Sequence, residues 1–228
     1  MEESSPFLSA FVSDLASPKK KDLAAGNFTD ECFVIGIGAR GWPLPEQSGP
    51  HVTDTALWGY KEIRKRHTYW LNKKLLLSRI FRSTNLSLWQ KGKRPGTDGL
   101  GAELLVAIVS ARTLWIGAVG KFKVLLYRDT LIDDLLNFPA HTQSKILGGS
   151  RLGITPSIKT EAILPGDSIL LTTDALLESL EEETVRSILA DSENSAASLK
   201  GAARQLVHAA RENGAIESLG VWLVKRVK

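Results

Sequence analysis

Apolar and polar positions change period repeatedly along the chain, and each change marks an element. Pro6 to Asp14 reads as a strand, and so does Glu31 to Ile37 through Cys32-Phe33-Val34-Ile35, with a charged loop, Ser17-Pro18-Lys19-Lys20-Lys21-Asp22, between them. Beyond Pro50 the spacing becomes helical. Ala56, Tyr60, Ile63, His67 and Trp70 form one apolar stripe, and Leu77, Ile80, Phe81, Thr84 and Leu88 a second, which predicts two amphipathic helices. After the turn-rich Lys93 to Gly101 come three strand-like runs, Leu104 to Val109, Thr113 to Val119 and Phe122 to Tyr127. Their short connections, Ser110-Ala111-Arg112 and Gly120-Lys121, predict an antiparallel meander.

The second half is less even. Leu131 to Pro156, broken by Gly148-Gly149, Gly153 and Pro156, predicts a surface loop or flap, and Ser157 to Ile163 a further strand. Pro165-Gly166-Asp167 is a turn into the apolar, β-branched run Ile169 to Thr173, which stops at a carboxylate, Asp174. Two helices follow, a short acidic one over Glu181 to Ala190 and a longer one over about Ser195 to Asn213, stopped by Asn213-Gly214. The last strand, Leu219 to Val224, is preceded by Glu217 and Ser218. This order of elements predicts an α+β fold with helices layered on antiparallel sheets.

Composition narrows the class. The chain has 228 residues, 43% of them hydrophobic, enough for a substantial core, and no linker divides it, so one domain over residues 1–228 is expected. No apolar run is long enough to span a membrane, no secretory leader is visible, and the single cysteine, Cys32, cannot form an internal disulfide. A cytoplasmic location is the expectation. The net charge of +4 conceals two opposed segments. Lys61 to Arg94 carries eleven Lys or Arg against Glu62, whereas Glu161 to Glu193 carries nine acids against Arg186. The basic stretch, with Lys61, Arg64, Lys65, Lys73, Lys74, Arg79 and Arg82 on its polar faces, suits either a solvated helix face or a surface for an acidic partner, an anionic lipid surface or nucleic acid. Tryptophans at helical spacing belong more often to a core than to a stacking platform, so nucleic acid is not the expected partner.

Candidate chemistry is sparse. The four histidines are scattered, no zinc spacing occurs, and Cys32 lies inside an apolar strand. The glycine pattern Gly36-Ile37-Gly38-Ala39-Arg40-Gly41 is followed by Trp42-Pro43-Leu44-Pro45 rather than by a helix that could hold a pyrophosphate, which removes a dinucleotide site. There remain acids at strand ends and loops, Asp174 above all. Such an acid either caps the helix that follows or delivers an oxygen ligand to a cleft, and oxygen clusters suit Mg²⁺ or Mn²⁺.

The order of motifs resembles the metal-dependent protein phosphatases of the protein phosphatase 2C type, over nearly the whole chain. Pro165-Gly166-Asp167 with its apolar strand and Thr173-Asp174-Ala175-Leu176 is similar to that family's Pro-Gly-Asp, strand, Ser-Asp-Gly-Leu segment. Gly214-Ala215-Ile216-Glu217-Ser218-Leu219 is similar to its last motif, Asp-Asn-Ile-Thr, with Glu217 on the aspartate and Ser218 on the asparagine. Val119-Gly120-Lys121-Phe122-Lys123 falls on the Val-Gly-Asp-Ser-Arg hairpin turn. The resemblance implies a β-sandwich flanked by helices (αββα) and a site for two divalent ions.

It also locates departures. Ile37 and Gly38 fall in the Asp-Gly-x-Gly-Gly motif, with Ile37 at the aspartate that bridges the two ions, and Lys121 stands at the hairpin aspartate. The Asn-Glu-Asp element is reduced to Asp22, and Pro18 and Lys19 lie where the phosphate-binding arginine belongs. The acids the resemblance retains as vestigial metal ligands are Asp174, Glu217 and Asp22, too few, opposed by one ammonium, to hold two divalent ions. Lys121 is expected to pair with Asp174 or Glu217, or else to point to solvent. The resemblance therefore implies a pseudophosphatase that binds a protein, a phosphoprotein among the candidates, and needs no cofactor. A weak serine/threonine phosphatase using Mn²⁺ or Mg²⁺ and a basic-surface adaptor are the alternatives.

Overall fold

The computed structural model describes residues 6–14, 24–39, 41–66, 72–95, 99–110, 112–136, 145–152 and 154–227. Among the described residues ten strands form two five-stranded antiparallel sheets. The first has the order β1-β10-β9-β6-β7, from β1 (Phe7–Asp14), β6 (Phe122–Arg128), β7 (Leu131–Asp134), β9 (Ser168–Thr173) and β10 (Leu219–Arg226). The second has the order β2-β3-β4-β5-β8, from β2 (Ala25–Phe28), β3 (Cys32–Gly38), β4 (Ala102–Ser110), β5 (Thr113–Val119) and β8 (Ser157–Ala162).

Central strands are apolar over most of their length, on both faces, because both faces are covered. Along β4, Leu105, Ala107 and Val109 point between the sheets, and Leu104, Val106 and Ile108 point toward helices α1 (Pro45–Arg66) and α2 (Lys73–Lys91). On the far side Leu170, Val221 and Leu223 meet the helices α3 (Asp174–Glu178), α4 (Glu182–Ala190) and α5 (Ala196–Glu212). The result is four layers, helix, sheet, sheet, helix, as expected. Trp222 anchors the middle: it is buried among Phe11, Phe28 and Phe33, and its indole N–H donates to the Val34 carbonyl of the opposite sheet at 3.2 Å.

Three sequence expectations change. The meander is not one sheet. β4 pairs with β5, but β6 pairs with β7 and β9, so Gly120-Lys121 carries the chain from one sheet to the other. The crossing needs φ +106° at Gly120, and a Cβ there would lie 2.4 Å from that of Glu103. The supposed flap opens with a regular edge strand, β7. Finally, α1 begins at Pro45, not beyond Pro50: Pro45 occupies the first helical position, where no N–H is needed, and Pro50 is accommodated inside. Gly38 ends β3 directly under that start, since a Cβ on it would fall 2.1 Å from the Pro45 carbonyl oxygen. Gly36 and Gly38 of the apparent nucleotide pattern thus serve close helix–strand packing, and Gly41 serves a turn at φ +77°.

Candidate functional site

At one end of the sandwich the termini of β3, β9 and β10 meet the β5–β6 crossing. One cleft of about 260 Å³ collects Ile37, Gly38, Lys121, Asp174, Glu217 and Ser218. These are all the site positions expected from sequence that lie within the described residues; Asp22 lies outside them. Two acids that sequence reasoning passed over complete the walls, Glu103 and Glu178. Glu103 stands directly opposite Ile37 in the β3–β4 register. A lone acid at the head of an otherwise apolar strand was the signal for it. Glu178 is one helical turn beyond Asp174, so both reach the same cleft from α3.

Backbone contacts fix the acids. Gly120 has no side chain, so the Glu103 side chain lies against it, and its carboxylate accepts the Lys121 N–H at 2.8 Å. Burial raises the Glu103 carboxyl above its ordinary value; the Lys121 N–H and ammonium pull it back, and the Glu217 and Asp174 charges push it further up. Lys121 joins the site through its main chain: its carbonyl accepts the Asp174 N–H at 3.3 Å. Its side chain is exposed and forms no ion pair with Asp174 or Glu217 among the described residues, which corrects the expected pairing. Nor is Asp174 a helix cap. Thr173 holds the cap position without a side-chain bond, and Asp174 is the first residue of α3. Glu217 is placed by Arg211, whose guanidinium donates to the Ala215 and Glu217 carbonyls, each at 2.7 Å, and to the Asp14 carboxylate at 2.7 Å. That clamp ties α5, β1 and the loop before β10 together.

The Pro-Gly-Asp turn has a structural task. Asp167 is buried, and its carboxylate accepts from Arg128 Nε at 2.9 Å, from Arg128 Nη2 at 2.6 Å and from the Leu164 N–H at 2.6 Å. Cys32 is buried with its thiol pushed well above the usual range by desolvation, so it is not a nucleophile. On the basic helices Arg64 is committed to Glu31 and Tyr60, and Lys65 to Glu62 at 3.1 Å, while Lys61, Lys74, Arg79 and Arg82 are exposed and Lys73 half-buried. His67, Tyr69 and Trp70 lie outside the described residues. No described helix is long and apolar enough to cross a membrane.

No protein-family model matches the sequence. No curated protein matches it either. Solved structures match over almost the whole chain. The catalytic domain of the serine/threonine protein phosphatase PstP, in complex with two manganese ions, superposes with a TM-score of 0.78 at 16% identity, covering 97% of this chain and 99% of that one. The chain has the PPM-type phosphatase fold. PppA of Pseudomonas aeruginosa gives a TM-score of 0.75 at 18% identity over 96% of this chain and 97% of its own. The serine/threonine phosphatase Stp1 of Staphylococcus aureus gives 0.76 at 16%, over 95% and 94%. At these identities the likeness is one of fold. Within this PPM fold, no three His, Cys, Asp or Glu side chains among the described residues come close enough together to hold one ion. What the cleft offers is separated carboxylates around an isoleucine, with an ammonium at the rim.

Proposed function

We propose that this chain is a catalytically impaired PPM-type domain, a pseudophosphatase, that acts as a protein-binding or regulatory module. The observation that carries the reading is Ile37. Its side chain is partly buried against the core between the sheets and lines the cleft, so the end of β3 supplies hydrocarbon where a bridging oxygen is required. Lys121 adds a positive charge at the rim. A pair of divalent ions needs ligands shared between them and a net negative shell, and this donor set does not fit them. No phosphoryl-transfer step is derived through such ions.

Hydrolysis of p-nitrophenyl phosphate and of a phosphoserine peptide, with millimolar Mn²⁺ or Mg²⁺, tests the reading. The expected result is no turnover above a protein-free blank. Turnover that Asp174→Asn abolishes would instead establish the second reading, a weak metal-dependent serine/threonine phosphatase, which the retention of Asp174 and Glu217 in one cleft favours. Lys121→Asp reports on the metal directly: calorimetry should show Mn²⁺ binding created or strengthened in the variant, and unchanged binding counts against the role given to Lys121. The exposed Lys61, Lys74, Arg79 and Arg82 support only a subsidiary adaptor reading, which salt-dependent oligonucleotide binding tests.

A further inference from the structure

The outer face of the α1–α2 layer shares no residue with the cleft, and it leaves large apolar side chains open to solvent. Trp58 of α1 is 63% exposed, and Leu75 and Leu86 of α2 are 56% and 37% exposed. Tryptophan ordinarily buries most of its surface, and it is the residue type most enriched at the energetic centres of protein interfaces. Beside Trp58, between the two helices, lies a hollow of about 300 Å³ whose apolar walls come from Trp58, Gly59 and Ile63. Arg79 and Ser83 close it on the α2 side. Leu75 stands four residues before Arg79, and Leu86 three residues after Ser83, so both exposed leucines continue the wall that α2 gives to the hollow. From Leu75 to Leu86 the helix rises about 16 Å, or three turns.

Gly59 and the charges around it point to an occupant. A glycine in a helix interior weakens the helix relative to alanine. Close contact with a strand accounts for Gly36 and Gly38, but a Cβ on Gly59 would meet the Ser83 hydroxyl oxygen at 3.4 Å, an ordinary contact, and no other heavy atom within 4 Å. Helix packing does not require this glycine; it keeps the floor of the hollow open. The rim then selects a charge. Arg66 and Arg79 stand on opposite walls, and Arg82 follows Arg79 on α2. None of the three has a hydrogen-bond or ion-pair partner among the described residues. The whole of α2 contains no acid. Glu62, the one acid of the hollow, is paired with Lys65 at 3.1 Å, and Asp54, a turn before Trp58, accepts from Asn27 at 2.9 Å. Apolar anchors therefore lie among unanswered guanidinium groups. A nucleic-acid backbone or a lipid headgroup layer answers those charges but places no side chain in a recess, whereas an acidic polypeptide does both.

We propose that this face docks an acidic amphipathic helix of a partner protein, about three turns long. The groove between two packed helices is the shape into which the side-chain ridge of a third helix fits. One large apolar side chain of the partner fills the hollow over Gly59, and its neighbours on the same stripe pack along Leu75, Trp58 and Leu86. Carboxylates flanking that stripe meet Arg66, Arg79 and Arg82, whose planar forks can bind them bidentately. This inference rests on the protein-binding part of the reading above, whose partner it specifies, and does not need the cleft to be inert.

The test uses the full chain, with amide and indole N–H spectra recorded during titration. The probe is a capped peptide of two copies of Leu-Glu-Glu-Leu-Leu-Ala-Glu, and its controls are the same peptide with lysine for every glutamate, oligothymidylate, and phosphatidylglycerol vesicles. The acidic peptide should shift the Trp58 indole and the amides of Gly59, Arg79 and Ser83 with a dissociation constant on the order of 100 μM, and added salt should weaken it. Trp58→Ala should weaken binding by about fivefold or more, and Arg66→Glu combined with Arg79→Glu by about tenfold or more. Gly59→Leu fills the hollow while favouring the helix, so it should weaken binding by about fivefold or more with the thermal midpoint unchanged or raised. Arg204→Glu, exposed on α5 in the opposite helix layer, should leave the affinity unchanged. Equal binding of the lysine peptide, or acidic-peptide binding indifferent to Trp58→Ala and Gly59→Leu, overturns the proposal. It also falls if the acidic peptide moves nothing while oligothymidylate or the vesicles shift Arg66 and Arg79, which would make this face a phosphate-binding surface. Phosphatase turnover is read separately. Neither turnover nor peptide binding removes the docking helix and leaves the cleft impaired as proposed; turnover together with peptide binding removes the impairment and leaves the docking helix.

Discussion

Asp167→Asn is the substitution whose cost the structure defines most fully. The carboxylate is 2% exposed and accepts three hydrogen bonds, two from the Arg128 fork and one from the Leu164 N–H. Hydrogen bonds to a charged group contribute about 1.5–3 kcal/mol each. An asparagine keeps one acceptor oxygen and turns its amide donors toward either Arg128 or Leu164, where donor meets donor. One or two bonds are therefore lost, together with the charge that Arg128 neutralises. Breaking a fully buried ion pair costs about 3–5 kcal/mol. Arg128 is 31% exposed along its side chain and can recover water, which places the expected loss near the lower end, about 3 kcal/mol. For a chain of this length each kcal/mol moves the melting midpoint by roughly 2–4 °C, so a fall of roughly 6–12 °C is expected. Urea unfolding followed by tryptophan fluorescence gives the free energy. In a double-mutant cycle with Arg128→Met, the two substitutions should cost at least about 2 kcal/mol less together than their sum. A loss below about 1 kcal/mol, or simple additivity, would show that this turn is not held by the pair.

Three further outcomes follow from the site. Because burial raises the Glu103 carboxyl, the folded state holds that proton more tightly than the unfolded chain; the stability this contributes is complete in acid and is lost as pH rises through the raised value. Glu103→Gln, which keeps an oxygen for the Lys121 N–H, should therefore unfold at higher urea than the wild type at pH 7, with the advantage vanishing below the ordinary glutamate range; a constant difference across pH contradicts the assignment. Gly120→Ala meets a backbone penalty of about 1–3 kcal/mol from its φ alone, and the new methyl displaces Glu103, so both the urea midpoint and the amide signals of the cleft should move; a silent substitution would mean the crossing is looser than described. Cys32 should resist a disulfide-exchange reagent in the native state and react at the rate of unfolding, and rapid native labelling would contradict its burial.

Much of this was legible in the residues, for identifiable reasons. β4, β5 and β9 are covered on both faces, and a strand in that position is written as an uninterrupted apolar run that can hardly be misread. Edge strands carry no such signal. β2 is Ala-Gly-Asn-Phe, and β7 ends in two aspartates, and neither alternates. The β5–β6 connection shows a different limit, since a two-residue link reads the same whether the strands it joins pair with each other or leave for separate sheets. In the cleft, Ile37, Lys121, Asp174 and Glu217 were reached through the order of motifs. Glu103 and Glu178 were not, the first hidden in an apolar run and the second in an acidic one, and only the register and the helix turn bring them to the same wall.

The position of β10 governs when this molecule can come into being. It lies between β1 and β9, and among the described residues β1 has no other neighbour in its sheet. The register joins Phe7 to Arg226 and Asp14 to Leu219, partners more than two hundred residues apart. Of the described strands β1 is made first and β10 last, so β1 waits, apolar and without its described partner, until β10 has been made. The second sheet, with its helices α1 and α2, has all its strands by Ala162 and can assemble earlier. Sheet-forming contacts of such long separation close slowly and leave edges exposed meanwhile. A nascent chain halted before Leu219 would thus carry one finished layer pair and one orphaned strand, a natural client for a chaperone that shelters extended apolar segments.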